Sequence, residues 1–217
     1  MRPTTRLRQL IEREEILIAP GAYDPYLAKC VQLAGFEAVY MTGAGVSHSS
    51  LGMPDLGLLT FTEMVDRAAR IADAVEIPLF ADADTGYGNA LNVMRTVRAY
   101  ERAGVAGLHL EDQELPKSEA ELARLGASIG KPLLANMVET GLTPILPAER
   151  LQALGFAVAI YPGALGRFIG KQALEFLRRF RAEGTTLSQL DRMLTFKEQN
   201  EIVGLPQFQA LARKYGA

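Results

Sequence analysis

Six short apolar runs, separated by longer amphipathic segments, are the feature that most constrains how this chain folds. The runs end in glycine or polar residues, as β-strands do, and the segments between them have the apolar spacing of α-helices. The runs cover residues 16–24, 38–45, 78–86, 107–113, 132–139 and 157–163, and the helical segments cover 25–34, 61–74, 89–103, 118–128, 147–154 and 165–183. Strands that are apolar on both faces must be covered on both faces, so the alternation predicts an α/β fold with a parallel sheet.

Two architectures satisfy this alternation, the TIM barrel and the doubly wound sheet. The first strand-to-helix turn lacks the G-x-G-x-x-G pattern of the doubly wound nucleotide-binding folds, and acidic residues recur at the ends of several strands. These features favour a TIM-barrel-type fold. A TIM barrel has about eight strands, so residues 1–184 are interpreted as a shortened barrel with six recognisable strands.

Residues 185–217 continue as helical segments, broken at Gly204-Leu205-Pro206, and no strand follows them. We therefore interpret this region as a C-terminal helical tail. A tail of this kind either caps the barrel or reaches a neighbouring subunit, so a homo-oligomer is expected.

Composition narrows the class of partner. The chain has 23 basic and 25 acidic residues, a net charge of −2, and no long run of either sign, which argues against nucleic-acid or membrane-surface binding. No segment has the length and apolar character of a signal peptide or a membrane span. The single cysteine, Cys30, suits a reducing compartment. We expect a cytoplasmic protein that binds a small molecule.

The stretch Ala81-Asp82-Ala83-Asp84-Thr85-Gly86-Tyr87-Gly88 ends the third predicted strand. Residues two apart on a strand share a face, and two acids on one face beside apolar residues are costly unless a cation neutralises them. Asp55 and Glu111 also follow strands. This oxygen-rich set predicts a Mg²⁺ site, with Mn²⁺ as the alternative, and disfavours zinc, which prefers histidine and cysteine.

The two histidines are interpreted separately. His109 precedes Glu111 by two residues and shares its face of the strand, so two interpretations stay open: a hydrogen-bonded core histidine, or a residue that supports the acidic site. His48 is expected in a loop, within a segment whose amides and hydroxyls could hold a carboxylate.

Several motifs, in this order along nearly the whole chain, resemble the isocitrate lyase and phosphoenolpyruvate mutase superfamily. They are YMTGAGVSHSSLGMPDLGLLTFTEM, ADADTGYGN, LEDQELPK, NMVETGLTP and AIYPG. The superfamily includes methylisocitrate lyase and oxaloacetate decarboxylase-like enzymes. The resemblance implies a TIM barrel with Mg²⁺ at its mouth, a homotetramer that exchanges C-terminal helices, and a carbon–carbon lyase or decarboxylase reaction on small oxo- or hydroxy-di- and tricarboxylates.

The resemblance also implies roles for individual residues. Asp82 matches the acid that contacts the metal and substrate, and Asp55, Asp84 and Glu111 match acids that reach the metal through water. The remaining matches concern substrate and proton transfer: Thr42, Gly43 and Ala44 for the substrate carboxylate, Asn136, Thr143 and Pro144 for substrate binding, and Tyr40 and Lys117 as catalytic candidates.

The chain departs from the superfamily after Lys117. There the family pattern has a Cys-Gly-His loop with the catalytic acid, a strand ending in Arg-Thr-Asp, a helix, and a strand ending in Glu-Ala. Here Pro116-Lys117 leads directly into Ser118 and a helical pattern, so two βα units, on the order of 30 residues each, are missing. Either the natural polypeptide contains additional residues at this junction, or the protein is a shortened homologue.

Three functions therefore remain open: a metal-dependent lyase or decarboxylase, a non-catalytic homologue that binds metal and dicarboxylate or acts as an assembly subunit, and an aldolase that uses a Lys117 imine. Loss of the acid and of an arginine predicts weak lyase activity in the chain of 217 residues.

Overall fold

The computed structural model describes residues 1–111 and 116–215. The chain divides into two compact units, Met1–Leu165 and Gly166–Ala217. The first unit contains the sheet, and the second is helical.

The first unit alternates strands and helices after one N-terminal helix. Its strands are β1 (Leu17–Ala22), β2 (Val39–Met41), β3 (Leu79–Asp82), β4 (Gly107–His109), β5 (Leu133–Asn136) and β6 (Phe156–Tyr161). Its helices are α1 (Pro3–Glu12), α2 (Pro25–Leu33), α3 (Gly43–Leu51), α4 (Phe61–Ala74), α5 (Ala90–Arg102), α6 (Glu119–Ser128) and α7 (Ala148–Ala153). All six predicted strands are confirmed.

The six strands form one parallel sheet in the order β4-β3-β2-β1-β6-β5. Within the described part of the chain, β4 and β5 each pair with a single neighbour, so the sheet does not close on itself. These two edge strands follow one another in sequence. The opening therefore lies at the place where the sequence predicts that two βα units are missing.

Both faces of the sheet are covered, as the apolar runs predicted. On one face, Leu7 and Leu10 of α1 pack against Leu17, Tyr40 and Phe80. The other face packs against α6 and α7 in a second cluster, formed by Ile16, Leu122, Ala135, Met137, Leu151, Phe156 and Ala159. The two clusters fix the strands, and with them the positions of the acidic residues at the strand ends.

Two helices differ from the sequence interpretation. The prediction that His48 lies in a loop is wrong, because His48 is an exposed residue of α3. Thr42 caps this helix by accepting the Gly45 N–H at 3.3 Å, and burial of Val46 holds it against the core. Helix α1 was not predicted as an element at all.

The junction after β4 is short. Residues 112–115 of the motif LEDQELPK, including Asp112, lie outside the described residues. Ser118 is the N-cap of α6, and its side chain accepts the Glu121 N–H at 3.3 Å. The chain therefore enters a helix immediately after Lys117, which is the arrangement expected if the shortened chain runs directly from Lys117 into Ser118.

The second unit contains most of α8 (Ala164–Glu183), a 3₁₀ helix at Leu187–Arg192, α9 (Phe196–Ile202) and α10 (Leu205–Tyr215). The break near Gly204 was predicted. Gln189 is fully buried, and its amide donates to the Phe176 carbonyl at 3.3 Å. The helices also leave large apolar side chains exposed, including Phe168, Phe196 and Phe208.

Candidate functional site

Asp82, the last residue of β3, is the most enclosed acid of the candidate site, with a side chain that is 10% exposed. Its Oδ2 accepts the backbone N–H of Gly43 at 3.2 Å, at the N-terminus of α3. Its Oδ1 accepts the backbone N–H of Asp84 at 3.0 Å. Burial alone would raise the pKa of Asp82, but the hydrogen bond and charge of His109, together with these two amides, lower it. Asp82 is therefore held as a carboxylate.

His109 connects the acids of two neighbouring strands. Its Nε2 lies 3.2 Å from Asp82 Oδ1 and 3.6 Å from Glu111 Oε1. Burial opposes the charged imidazolium, but the hydrogen bond and charge of Asp82, followed by Glu111, raise the pKa of His109. Of the two interpretations left open by the sequence, the structure favours the one in which His109 supports the acidic site.

Tyr40 on β2 brings a phenol to the same group. Its hydroxyl lies 3.3 Å from His109 Nδ1, and the two rings stack with centroids 5.5 Å apart. Burial, followed by the charges of Asp82 and Glu111, raises the pKa of Tyr40 well above its ordinary value. The phenol therefore keeps its proton at neutral pH and can donate a hydrogen bond.

Asp55 and Asp84 lie within electrostatic range of Asp82. Burial, followed by the charge of Asp82, raises the pKa of both carboxyl groups. Asp84 is half-buried, whereas Asp55 is exposed in the loop between α3 and α4. These three acids, with Glu111, concentrate negative charge at the carboxyl edge of the sheet, which a cation would relieve.

The predicted carboxylate-binding segment lies beside Asp82. Thr42 is buried at the N-cap of α3, Gly43 donates to Asp82, and Ala44 is half-buried in the first turn. A Cβ at Gly43 would lie 2.6 Å from Asp82 Oδ2, so the backbone approaches this carboxylate as closely as a glycine permits.

The predicted substrate residues of the late strands lie elsewhere along the same edge. Asn136 ends β5, and its Oδ1 is buried without a hydrogen-bond partner among the described residues. Thr143 donates to the Pro116 carbonyl at 2.7 Å, which places Thr143 and the half-buried Pro144 near the entry to α6. In the described ranges, no hydrogen bond or ion pair joins them to the acids.

Lys117 is exposed, and its backbone N–H donates to Glu121 Oε2 at 2.6 Å. Within the described part of the chain, its ammonium group forms no ion pair with the carboxylates. The structure therefore groups Tyr40, Gly43, Asp82 and Glu111, and it does not bring Lys117 to them.

The donor set fits a divalent metal ion. One ligand atom each from Asp82, His109 and Glu111 lies within 4.8 Å of the other two. Asp82 and Glu111 supply the carboxylate oxygens of this group. Asp55 and Asp84 add negative charge around Asp82. Carboxylate oxygens and water suit Mg²⁺ and Mn²⁺, and an imidazole is also accepted by Mn²⁺.

Sequence interpretation missed three residues that support this site: Thr96, Tyr87 and Tyr100. Thr96 and Tyr100 lie on the buried face of α5 and bond to the segment that carries Asp82 and Asp84. Their spacing on a helix looks the same as that of core residues, so no sequence signal distinguished them.

The fold and the acids at its strand ends define a TIM-barrel-type protein with a polar site at the carboxyl edge of the sheet. The chain belongs to the phosphoenolpyruvate mutase and isocitrate lyase superfamily: the family described as phosphoenolpyruvate phosphomutase matches residues 7–130. The chain is 35% identical to 2,3-dimethylmalate lyase of Eubacterium barkeri, covering 99% of each sequence. It is 30% identical to 2-methylisocitrate lyase of Aeropyrum pernix, covering 96% of this chain and 89% of that sequence.

Solved structures agree with this assignment. The structure of oxaloacetate acetylhydrolase in complex with the product oxalate is 29% identical, has a TM-score of 0.93, and matches over 99% of this chain and 98% of its own. A crystal structure of 2,3-dimethylmalate lyase is 27% identical, with a TM-score of 0.90 over 100% and 96% of the two chains. The predicted TIM-barrel-type fold with six strands and a helical C-terminal region is confirmed.

The alignment with the dimethylmalate lyase extends over 285 residues, whereas this chain has 217. At least 285 − 217 = 68 aligned positions therefore have no counterpart here. This length is close to that of two βα units of on the order of 30 residues each. The position of the missing residues, after Lys117, stays a prediction.

None of the described helices combines the length and apolar character that crossing a membrane requires.

Proposed function

We propose that this chain binds Mg²⁺, or alternatively Mn²⁺, together with a small oxo- or hydroxy-dicarboxylate, and that its reaction type is carbon–carbon lyase or decarboxylase. The observation that carries the proposal is the convergence of ligand atoms from Asp82, His109 and Glu111 within 4.8 Å of one another. These residues come from two adjacent strands of a fold whose relatives are lyases.

The substrate class is inferred from relatives and from the charge of the site. The relatives named above act on dimethylmalate and methylisocitrate, and one similar structure holds oxalate. A carboxylate substrate would be repelled by the acids unless a cation were present. A bound metal ion and the positive end of the α3 helix dipole are the groups that would attract it.

The chemistry divides between the metal and the chain. A bound divalent ion supplies positive charge that stabilises the anion left by carbon–carbon cleavage. Gly43 fixes Asp82 for the ion, and Thr42 and Ala44 present the start of α3 to the substrate carboxylate. The part of the substrate that points away from the metal is assigned to three residues after or at the end of β5: Asn136, Thr143 and Pro144.

Tyr40 is the candidate for proton transfer, because its hydroxyl keeps its proton and lies beside His109, the residue that contacts Asp82 and Glu111. Its role is to donate a hydrogen bond to the substrate and to exchange that proton with His109, 3.3 Å away. Lys117 stays a second candidate, which substrate binding would have to bring towards the site.

Turnover is expected to be weak. A positioned acid or base typically contributes about 10²–10⁴-fold to the rate, and the segment in which the family pattern places its catalytic acid is missing. A shortened chain with an intact metal site would therefore bind metal and substrate but turn the substrate over slowly.

Calorimetric titration with Mn²⁺ tests the metal site directly. Asp82→Asn should weaken binding by more than the roughly 10–100-fold typical of residues that only support a ligand. Asp66→Asn is the matched control, because Asp66 is an exposed acid that pairs with Arg70 on α4. Equal Mn²⁺ affinity of the folded Asp82→Asn protein and the wild type would refute the assignment.

A second candidate function is that of a non-catalytic homologue or assembly subunit. The open edges of β4 and β5 favour it, since unpaired strands are rarely left exposed and another polypeptide could cover them. Metal-dependent turnover of an oxo- or hydroxy-dicarboxylate would distinguish the two functions. Trapping of a keto acid on Lys117 by borohydride would instead support the imine aldolase.

The assembly and compartment are also proposals. Exposed apolar residues on the helices of the second unit, such as Phe168 and Phe208, support a homo-oligomer, and the superfamily resemblance suggests a tetramer. The single cysteine, Cys30, is not in a disulfide and is consistent with the cytoplasm. Sedimentation of the purified protein tests the assembly.

A further inference from the structure

The segment that follows β3 has an unusual backbone. Asp84 and Tyr87 have φ angles of 45° and 60°, in the left-handed region that residues with side chains seldom adopt. Asp84 is one of the acids assigned to the metal. A short segment with two such residues does not hold this conformation by itself, so neighbouring elements must fix it.

Helix α5 supplies two of the fixing contacts. The Tyr100 hydroxyl donates to the Asp82 carbonyl at 3.1 Å, and the Thr96 hydroxyl donates to the Gly86 carbonyl at 3.1 Å. Tyr100 and Thr96 are 0% and 1% exposed. The two bonds hold the backbone at both ends of the stretch between Asp82 and Gly86.

A third contact fixes the middle of the stretch. The backbone N–H of Glu111 donates to the Asp84 carbonyl at 2.7 Å, which connects the two acids of the proposed site through the main chain. The position of Asp84 therefore depends on hydrogen bonds that α5 makes to the flanking residues and on the bond from Glu111, just beyond β4.

The tyrosine protons can be assigned by counting. Tyr100 has one hydroxyl proton, and the Asp82 carbonyl takes it. The Tyr87 hydroxyl lies 3.4 Å from that of Tyr100. Because the Tyr100 proton is already given to the carbonyl, the Tyr100 oxygen is the acceptor in this pair and Tyr87 is the donor. Tyr100 thus holds the backbone, and Tyr87 adds a hydrogen bond to Tyr100.

We propose that Thr96 and Tyr100 are positioning residues for the metal site, which hold the Asp82–Gly86 backbone so that the carboxylates of Asp82 and Asp84 converge on one ion. This inference rests on the proposed metal-binding function. The competing explanation is that both hydroxyls only stabilise the core, in which case their loss lowers stability and leaves metal binding unchanged.

Matched substitutions separate the two explanations. Thr96→Val keeps the shape and removes the hydroxyl, whereas Thr96→Ser keeps the hydroxyl. Tyr100→Phe removes the other donor. Tyr26→Phe is its control, because Tyr26 lies on α2 and, among the described residues, its hydroxyl forms no hydrogen bond with the site acids. Each protein is examined for Mn²⁺ affinity by calorimetry and for amide hydrogen exchange in residues 83–88.

Thr96→Val and Tyr100→Phe should weaken Mn²⁺ binding about 10-fold, the lower end of the loss seen when supports of metal ligands are removed. They should also speed exchange in residues 83–88. Thr96→Ser and Tyr26→Phe should match the wild type in both measurements. This pattern would show that the hydroxyls act on the site.

Two results would overturn the inference. If Thr96→Val and Tyr100→Phe melt at lower temperature but keep wild-type Mn²⁺ affinity and exchange, both hydroxyls are only structural. If the wild type binds no Mn²⁺, the proposed metal site fails. In that case, if Thr96→Val and Tyr100→Phe also leave amide exchange in residues 83–88 at the wild-type rate, the positioning role fails as well. If they speed that exchange, the two hydroxyls still hold the backbone of this segment.

Discussion

The backbone N–H of Gly43 donates to Oδ2 of Asp82 at 3.2 Å, and a Cβ at position 43 would lie 2.6 Å from the same oxygen. The first turn of α3 and the end of β3 are therefore in direct contact through an amide and a carboxylate. Because the contact requires the absence of a side chain, one methyl group is enough to test it.

Gly43→Ala should displace the Asp82 carboxylate while keeping the fold. Alanine is a better helix former than glycine, and Gly43 is not among the residues with a left-handed backbone, so α3 itself should tolerate the change. We expect Mn²⁺ affinity to fall about 10-fold or more, measured by calorimetry.

Gly170→Ala on α8 is the control for Gly43→Ala, because its Cβ would meet nothing within 4 Å. It should leave Mn²⁺ affinity unchanged. Unchanged affinity in Gly43→Ala as well would show that Asp82 either adapts to the methyl group or does not bind the ion.

Most of the first unit could be predicted from the sequence because its strands and helices have strong apolar periodicity. Helix α3 could not, since its sequence GAGVSHSSL is rich in glycine and serine, which favour turns. Tertiary contacts of Val46 and the Thr42 cap form this helix instead. Helix α1 is different: Leu7, Leu10 and Ile11 have the spacing of an amphipathic helix, so the sequence does contain a signal for this element.

The candidate site was predictable only in part. Acids at strand ends are recognisable because parallel strands place their carboxyl ends at one edge of the sheet. The contacts of Tyr40 and His109 depend on the register of β2, β3 and β4, which no local pattern encodes. Asn136 and Lys117 border the opening between β4 and β5, where the neighbours that a complete barrel would supply are missing.

Gly126→Ala, on α6, should be strongly destabilising because it disturbs the packing of α6 on the end of α7. Its Cβ would lie 1.7 Å from the carbonyl oxygen of Leu154, and this backbone atom at the end of α7 cannot rotate away. We expect the free energy of unfolding to fall by about 1–3 kcal/mol, measured by urea denaturation.

The control for Gly126→Ala is Gly130→Ala, just beyond the same helix, where a Cβ would meet nothing within 4 Å. A stability loss in Gly130→Ala of the same size, or none in Gly126→Ala, would contradict the close packing of α6 on α7.

Stabilisation by metal should increase with pH. The pKa of Asp84 is raised from 3.8 by burial and by the charge of Asp82, so its contribution to stability is present below that value and is lost as pH rises through the raised pKa. Asp55 shifts in the same direction, but water screens its exposed charge. A divalent cation offsets the resulting repulsion.

The melting temperature should therefore rise more on adding Mn²⁺ at neutral pH than at about pH 5, where protons compete for the acids. The lowered pKa of Asp82 keeps that residue charged across this range, so Asp82 contributes nothing to the pH dependence of the metal-induced rise in melting temperature. Differential scanning calorimetry of the wild type and Asp84→Asn measures the effect. An equal rise at both pH values in the wild type would count against a carboxylate site.

Strands β4 and β5 border the opening in the sheet. A parallel strand needs partners for the N–H and C=O groups along its free edge, and Leu134 on β5 is 40% exposed. Insertion of the corresponding segment of the Eubacterium barkeri dimethylmalate lyase between Lys117 and Ser118 should supply two βα units and pair both edges. We expect the chimaera to aggregate less in light scattering, to melt at higher temperature, and to show metal-dependent cleavage of dimethylmalate that the 217-residue chain lacks or shows weakly. A flexible Gly-Ser segment of equal length at the same junction should confer none of these gains. If the unmodified chain is instead monodisperse and the chimaera is less stable, the six-stranded sheet is complete without further strands, and the assembly-subunit hypothesis becomes the better account.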